Sequence, residues 1–308
     1  MRVRTAYRVH RKLLANRSSC NLYVRSQPAL TPLQERLVEE LKTDGVAAAK
    51  FEDLVPDDGL WEELCADIEA FARAGAARLP ADRVGPAKKS DFLARRYNTR
   101  ENRARSSGRW HRPGPWAAFP ASDPWVRLGV RPEILDVVNT YRGLWTRYVE
   151  FDHWYTVPFS DPHDRVSTQN WHRDKGDQGL VTLFLYFSDV DEGAGPFQYV
   201  RGSARGGPFG QLWPWTPFGE KFAAGEDVLR RIPATEWKTM TGPSGTMILA
   251  DTSGLHRGGF ARVSPRILSY HVYVSPAATR SSLRNRTFAV EALPAGAETS
   301  DAARFALT

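Results

Sequence analysis

Three residues with metal-ligand chemistry stand out: His172 and Asp174 in the run NWHRDKGD, and His256 in DTSGLHRGG. His172 and Asp174 are two apart, so an extended backbone points both side chains to one face. Two imidazoles and one carboxylate on one side of a metal ion leave three coordination positions open. That donor set suits a non-haem Fe(II) site, whose open positions serve 2-oxoglutarate and O2. A cation must then hold the far carboxylate of the keto acid. Arg266 opens the apolar run RILSY, and its planar fork binds a carboxylate through two parallel hydrogen bonds. Arg262 competes for that task, but it falls in a turn, whereas a charge opening an apolar strand needs a partner. A bare His-x-Asp is a weak signal. It is sharpened here by its place between two strand patterns, with His256 in a later strand-turn setting and Arg266 ten residues beyond it.

Neighbouring residues carry secondary expectations. Asn170 shares a face with His172 by strand alternation, which offers it as a hydrogen-bond donor to the keto acid; a polar strand-end residue is the alternative. His153, beside Asp152 in YVEFDHWY, and His163 in SDPHDR read first as ordinary strand or loop histidines and second as substrate contacts. Trp213 and Trp215 either wall a pocket or anchor their own loop. Gly193 and Gly195 in DEGAGP lack the strand-glycine-helix order of a phosphate loop and are turn residues.

The elements that must position this set change character along the chain. Residues 1–30 read as a basic leader, in which AYRVHRKLLA either forms a short amphipathic helix or is mobile, the mobile reading being preferred. Thr31 is a helix N-cap, with Pro32 at the first helical position and Gln34 closing a capping box; that helix stops near Gly45. Leu60, Trp61, Leu64, Ile68 and Phe71 give a second helix, and Ile134, Val137, Val138 and Tyr141 a third. Between Leu79 and Pro120 the pattern dissolves into Arg, Gly, Pro and Ser. Region 31–144 is thus helical and looped, packing on a strand-rich core. From 145 to 280 short strands alternate with turns, as in TRYVEFDHWYTV, LVTLFLYFSDV, FQYVRGS, GTMILAD and RILSYHVYVS. Residues 204–243 read as an insertion and 281–308 as a tail. Helices first and many strands after predict an α+β chain with a β-barrel or sandwich core.

Composition narrows the classes. With 42% hydrophobic and 25% charged residues, the 308-residue chain has the balance of a globular protein. No apolar run approaches the roughly 20 residues of a membrane helix, and the start lacks the apolar stretch of a secretory signal. Cys20 and Cys65 form no disulfide framework, which favours a reducing cytoplasm. The formal charge of +7 is concentrated in the leader and between Arg83 and Arg112. It reads either as solvated surface or as a field that steers an anionic small-molecule substrate. No recognition-helix or zinc-finger pattern supports nucleic-acid binding.

The runs NWHRDKGDQGLVTLFLYFSDVDEGAGPFQYVRGS and GTMILADTSGLHRGGFARVSPRILSYHVYV resemble the phytanoyl-CoA dioxygenase family of Fe(II)/2-oxoglutarate oxygenases. The resemblance covers Trp145 to Pro276 and implies a double-stranded β-helix (a jelly-roll, cupin-like core) with flanking N-terminal helices. It also implies His172, Asp174 and His256 as iron ligands, Arg266 as the 2-oxoglutarate clamp, and oxidation of a small molecule with release of succinate and CO2. Jumonji-like hydroxylases share the His-x-Asp and distal His but generally clamp the keto acid with other residues. One departure is Arg201-Gly202-Ser203-Ala204, where many members carry Pro-Gly-Ser-His. Asp174 separates the chain from the halogenases, in which a small residue replaces this carboxylate.

Overall fold

The computed structural model describes residues 14–78, 109–111, 119–158, 165, 167–216, 229–278 and 300–308, with the backbone alone at 78, 109–111 and 167. The leader is the first departure from expectation. Its residues 17–25 form helix α1 (Arg17–Arg25), and that helix is docked. Trp145 donates its backbone N–H to the Ser19 carbonyl at 3.2 Å, and Ala277 donates to Asn16 Oδ1 at 3.0 Å. The buried residues of α1 are Ser19 and Tyr23, too few and too polar to leave an apolar period in the sequence.

Helix α2 (Pro32–Thr43) begins as predicted. Thr31 Oγ1 accepts from the Gln34 N–H at 3.3 Å, and Gln34 Oε1 accepts from the Thr31 N–H at 2.9 Å. The helix buries Leu37, Val38 and Leu41 and ends before Gly45, whose φ of +85° turns the chain. Strand β1 (Val46–Lys50) comes next, within a region expected to hold only helices and loops. The run VAAAK carries little strand preference, and β1 exists through its antiparallel pairing with β7 (Thr246–Asp251). Beyond it lie α3 (Phe51–Leu54) and α4 (Leu60–Arg78), the latter burying Leu60, Leu64, Ile68 and Phe71. Then come β2 (Arg109–His111), α5 (Pro124–Gly129) and α6 (Pro132–Arg142). The basic stretch from Arg83 to Arg112 lies outside the described residues apart from the β2 backbone, and so does His163.

Strands β3 (Arg147–Thr156), β4 (Val181–Tyr186) and β9 (Arg266–Val274) complete an antiparallel sheet ordered β1-β7-β4-β9-β3-β2. A second antiparallel sheet, ordered β6-β5-β8, is built from β5 (Phe197–Val200), β6 (Trp237–Met240) and β8 (His256–Gly258). Strand β6 lies inside the stretch 204–243 that reads as an insertion. Four residues, WKTM, are too short to show a period.

Side-chain alternation divides the large sheet between two cores. Val181, Leu183, Leu185, Met247 and Leu249 pack under α2, α4, α5 and α6. Phe184, Tyr186, Ile248, Ala250 and Leu268 face the other way and meet Phe197, Tyr199 and Met240 of the small sheet. Burying a leucine as completely as Leu183 contributes about 1.5–3 kcal/mol over leaving it exposed. The α+β class is as expected, with sheet on sheet and helices over one outer face. In the tail, α7 (Asp301–Leu307) docks on β3, with the Arg147 guanidinium 3.8 Å over the Phe305 ring.

Candidate metal centre

His172 and His256 are held face to face by the backbone. The His172 N–H donates to the His256 carbonyl at 3.0 Å, and the His256 N–H donates back to the His172 carbonyl at 3.1 Å. This isolated antiparallel bridge sets the two ring centres 4.1 Å apart. Each imidazole is then oriented by the carbonyl two residues before it. His172 Nδ1 lies 2.8 Å from the Asn170 oxygen, and His256 Nδ1 lies 3.1 Å from the Gly254 oxygen. A carbonyl only accepts, so this network places the proton of each ring on Nδ1 and leaves Nε2 with its lone pair.

Both Nε2 atoms turn to Asp174, at 3.9 Å from Oδ1 for His172 and 3.7 Å from Oδ2 for His256. One ligand atom from each of the three residues lies within 4.8 Å of the others, and no second such group of histidine, cysteine or acidic residues converges among the described residues. Asp174 is placed by its N–H, which donates to the Thr252 carbonyl at 2.8 Å, and by its own carbonyl, which accepts from Trp215 Nε1 at 2.7 Å. Its side chain is 30% exposed while the histidines are buried, so the carboxylate marks the open edge. The donor set, with both tautomers fixed from outside the ring pair, fits a first-row dication that keeps open positions.

Arg266 enters from the first residue of β9, in the layer between the sheets, and is 1% exposed. One Nη donates to the Gly195 carbonyl, while Nε is buried without an acceptor. Burial lowers its pKa, and the Tyr186 hydroxyl opposes that shift. Tyr186 Oη in turn accepts from the Phe197 N–H, and the Phe197 ring stands 5.7 Å from that of His256. A buried guanidinium with a spare donor is a fit for a carboxylate. Arg262, by contrast, is an exposed turn residue.

The surroundings hold partners that spacing did not reveal. Arg173, between His172 and Asp174, is 1% exposed, and one Nη bridges the Ser203 and Ser253 carbonyls at 2.7 Å each. Ser203 Oγ accepts from the Leu255 N–H, so the retained serine of the Arg-Gly-Ser-Ala run holds the turn before His256. Burial, then Arg173, pushes Lys175 down to about 8, against the pull of Asp174. Tyr270 donates to Glu150 at 2.9 Å, and burial, together with Glu150, Asp152 and Asp174, keeps its hydroxyl protonated well beyond the usual range.

The secondary candidates fall in different places. Asn170 commits its side-chain amide to the Arg165 carbonyl at 3.0 Å and reaches the site through its backbone oxygen on His172. His153 lies on the helix-packed face of β3, its ring 4.1 Å from that of Trp125, and belongs to that core. Trp215 touches the site directly through Asp174, while Trp213 packs in the cluster of Trp171 and Trp237 and also receives Lys175 Nζ at 5.1 Å and the Arg173 guanidinium at 5.9 Å from its ring centre. The one sequence signal for the tautomer-setting carbonyls is their common offset, Asn170 to His172 and Gly254 to His256.

No protein-family model and no curated protein matches the sequence. Solved structures do match. EctD from S. alaskensis, crystallised with 2-oxoglutarate and 5-hydroxyectoine, aligns with a TM-score of 0.52 at 16% identity, over 81% of this chain and 79% of that one. The chain shares its fold. EvdMO1 aligns with a TM-score of 0.50 at 14% identity over 79% of this chain, which spans 50% of EvdMO1. No helix among the described residues is long and apolar enough to cross a membrane.

Proposed function

We propose that the chain is an Fe(II)- and 2-oxoglutarate-dependent dioxygenase that hydroxylates or otherwise oxidises a small molecule. The observation that carries this reading is the convergence of His172, Asp174 and His256 in ligand-ready tautomers. The buried spare donor of Arg266 and the fold shared with EctD, itself crystallised with 2-oxoglutarate, support it. So does the resemblance of residues 145–276 to phytanoyl-CoA dioxygenases, whose double-stranded β-helix accords with two antiparallel sheets packed face to face. On this reading residues 145–280 are the catalytic core and 31–144 buttress it.

His172 Nε2, His256 Nε2 and the Asp174 carboxylate would hold the metal, and Arg266 would hold the distal carboxylate of the keto acid. With both bound, the site supplies the oxidation of R–H by O2 to R–OH, 2-oxoglutarate leaving as succinate and CO2. Phe184, Phe197 and Leu268 keep water from the Arg266 side. Trp215 ties residue 215 to the backbone of Asp174 at the open edge. The test is an anaerobic titration with Fe(II) and 2-oxoglutarate, read by the visible charge-transfer band of a chelated keto acid. Wild type and His153→Gln should develop the band and His172→Ala should not. The opposite pattern would refute the assignment.

A further inference from the structure

Three arginines gather on the outer side of the small sheet, and no carboxylate of the described residues pairs with any of them. Arg257 comes directly after His256 on β8, so alternation turns its side chain to the face opposite the imidazole. Its Nε donates to Gln198 Oε1 at 2.7 Å, and its guanidinium lies 4.5 Å over the Trp171 ring and 6.0 Å from that of Trp237. Arg165 sits 4.4 Å over the Phe260 ring and gives one Nη to the Gln169 carbonyl at 3.3 Å. Arg262, two residues after Phe260, is exposed and bound only through its backbone N–H, to the Gly193 carbonyl. Arg165 thus lies against Phe260, two residues before Arg262, and against Gln169, two residues before the Trp171 that Arg257 covers, so the three positive charges share one stretch of surface.

The same cluster has surplus donors. Trp171 and Trp237 meet edge to face at 5.5 Å, and each indole N–H is buried with no acceptor. Trp171 is only 5% exposed. Unpaired buried donors and mutually repelling cations both cost stability unless something answers them. The aromatic faces hold the two guanidinium planes in place, so their ordering is already complete before a ligand arrives.

We propose that Arg165, Arg257 and Arg262, with the indoles of Trp171 and Trp237, form a binding site for a phosphate-type oxyanion. The forks come from two separate segments, Arg165 from one and Arg257 and Arg262 from the other, and carry three positive charges. A tetrahedral dianion presents oxygens in several directions and two charges, which matches that arrangement better than a planar monocarboxylate does. The site stands apart from the interior arginine, Arg266, and does not depend on the iron reading. It is nonetheless one residue from each histidine, through Trp171 and through Arg257, so an occupant would brace the back of both.

The test is calorimetric titration of the full chain with inorganic phosphate at constant ionic strength, with glycerol phosphate and acetate as further arms. Tryptophan fluorescence serves as a second readout. Saturable phosphate binding is expected, weakened about tenfold or more by Arg257→Gln, in keeping with loss of a charge-assisted contact, and reduced by Arg262→Gln. The Arg262 variant changes an exposed side chain and leaves the fold intact, so it carries the test if Arg257→Gln fails to fold. Arg266→Lys should leave the binding unchanged. Tighter binding of glycerol phosphate than of inorganic phosphate would assign the site to an ester, and the reverse order to the free ion; either supports an oxyanion site. Absence of saturable phosphate binding, equal binding of acetate, or loss only in Arg266→Lys would overturn the proposal.

Discussion

If Arg266 holds 2-oxoglutarate as proposed, Arg266→Lys separates the fork of that contact from its charge. Arg266 is 1% exposed, gives one Nη to the Gly195 carbonyl and keeps Nε free of any acceptor. A lysine at that position retains one positive charge on a single nitrogen and cannot supply two parallel donors. The loss is therefore about one hydrogen bond to a charged group, roughly 1.5–3 kcal/mol. That converts to an increase of about 10- to 150-fold in the 2-oxoglutarate needed for half-saturation. The assay is the anaerobic visible-band titration against 2-oxoglutarate at fixed Fe(II), which reads binding without turnover. Metal affinity measured without the keto acid should be unchanged, because Arg266 touches none of the three residues proposed as ligands. Arg262→Lys, in an exposed turn, should titrate as wild type. The reasoning fails if Arg266→Lys titrates like wild type, or if Arg262→Lys alone demands more co-substrate.

Packing and burial give two further outcomes. In Gly254→Ala the new Cβ would stand 1.9 Å from Tyr199 Oη and 3.0 Å from the Asp251 carbonyl that this hydroxyl uses. Thermal melts should show a loss of about 1–3 kcal/mol, with weaker Fe(II) binding because the Gly254 carbonyl orients His256; an unchanged Tm would refute this. Burial pushes His271, 2.7 Å from the Tyr148 hydroxyl, down to about 3. The unfolded chain takes up that proton below about pH 6.5, so the stability from a neutral His271 is full above that pH. It is lost as pH falls toward 3, at up to about 1.4 kcal/mol per unit. Asp136 works the other way: burial and Glu133 raise its carboxyl to about 6, so its contribution is present below about pH 4 and lost as pH rises through 6. Urea melts between pH 6.5 and 4 should therefore show a shallower acid loss in His271→Asn than in wild type, and a steeper one in Asp136→Asn. Identical slopes would refute both.

Local signals in the chain reached far into the fold. The Thr31–Gln34 capping box, the apolar stripe from Leu60 to Phe71 and the strand runs ending in RILSYHVYV each specify their own backbone, because caps and periodicities act over a few residues. Two members of the converging group were legible for the same reason. His172 and Asp174 are near neighbours in sequence, and two residues of extended chain suffice to aim them together. Where an element owes its shape to a distant partner, the local reading failed. VAAAK is a strand through β7, WKTM is a strand through β5, and α1 is a docked helix because residues 145 and 277 bond to its turn. At the site itself, the part Asn170 plays through its backbone oxygen, 2.8 Å from His172 Nδ1, had no signature in side-chain alternation.

Residue identity and short spacing thus determined which atoms are chemically able to hold a metal and which arginine opens an apolar strand. Tertiary structure decided the rest. It brought His256 to His172 from a distant part of the chain, sent His153 to the helix-packed core, and left Arg266 buried with a donor to spare. The physical reason is that hydrogen bonds between distant backbone segments, and the burial of one sheet face against another, depend on closures of the chain that no window of sequence contains.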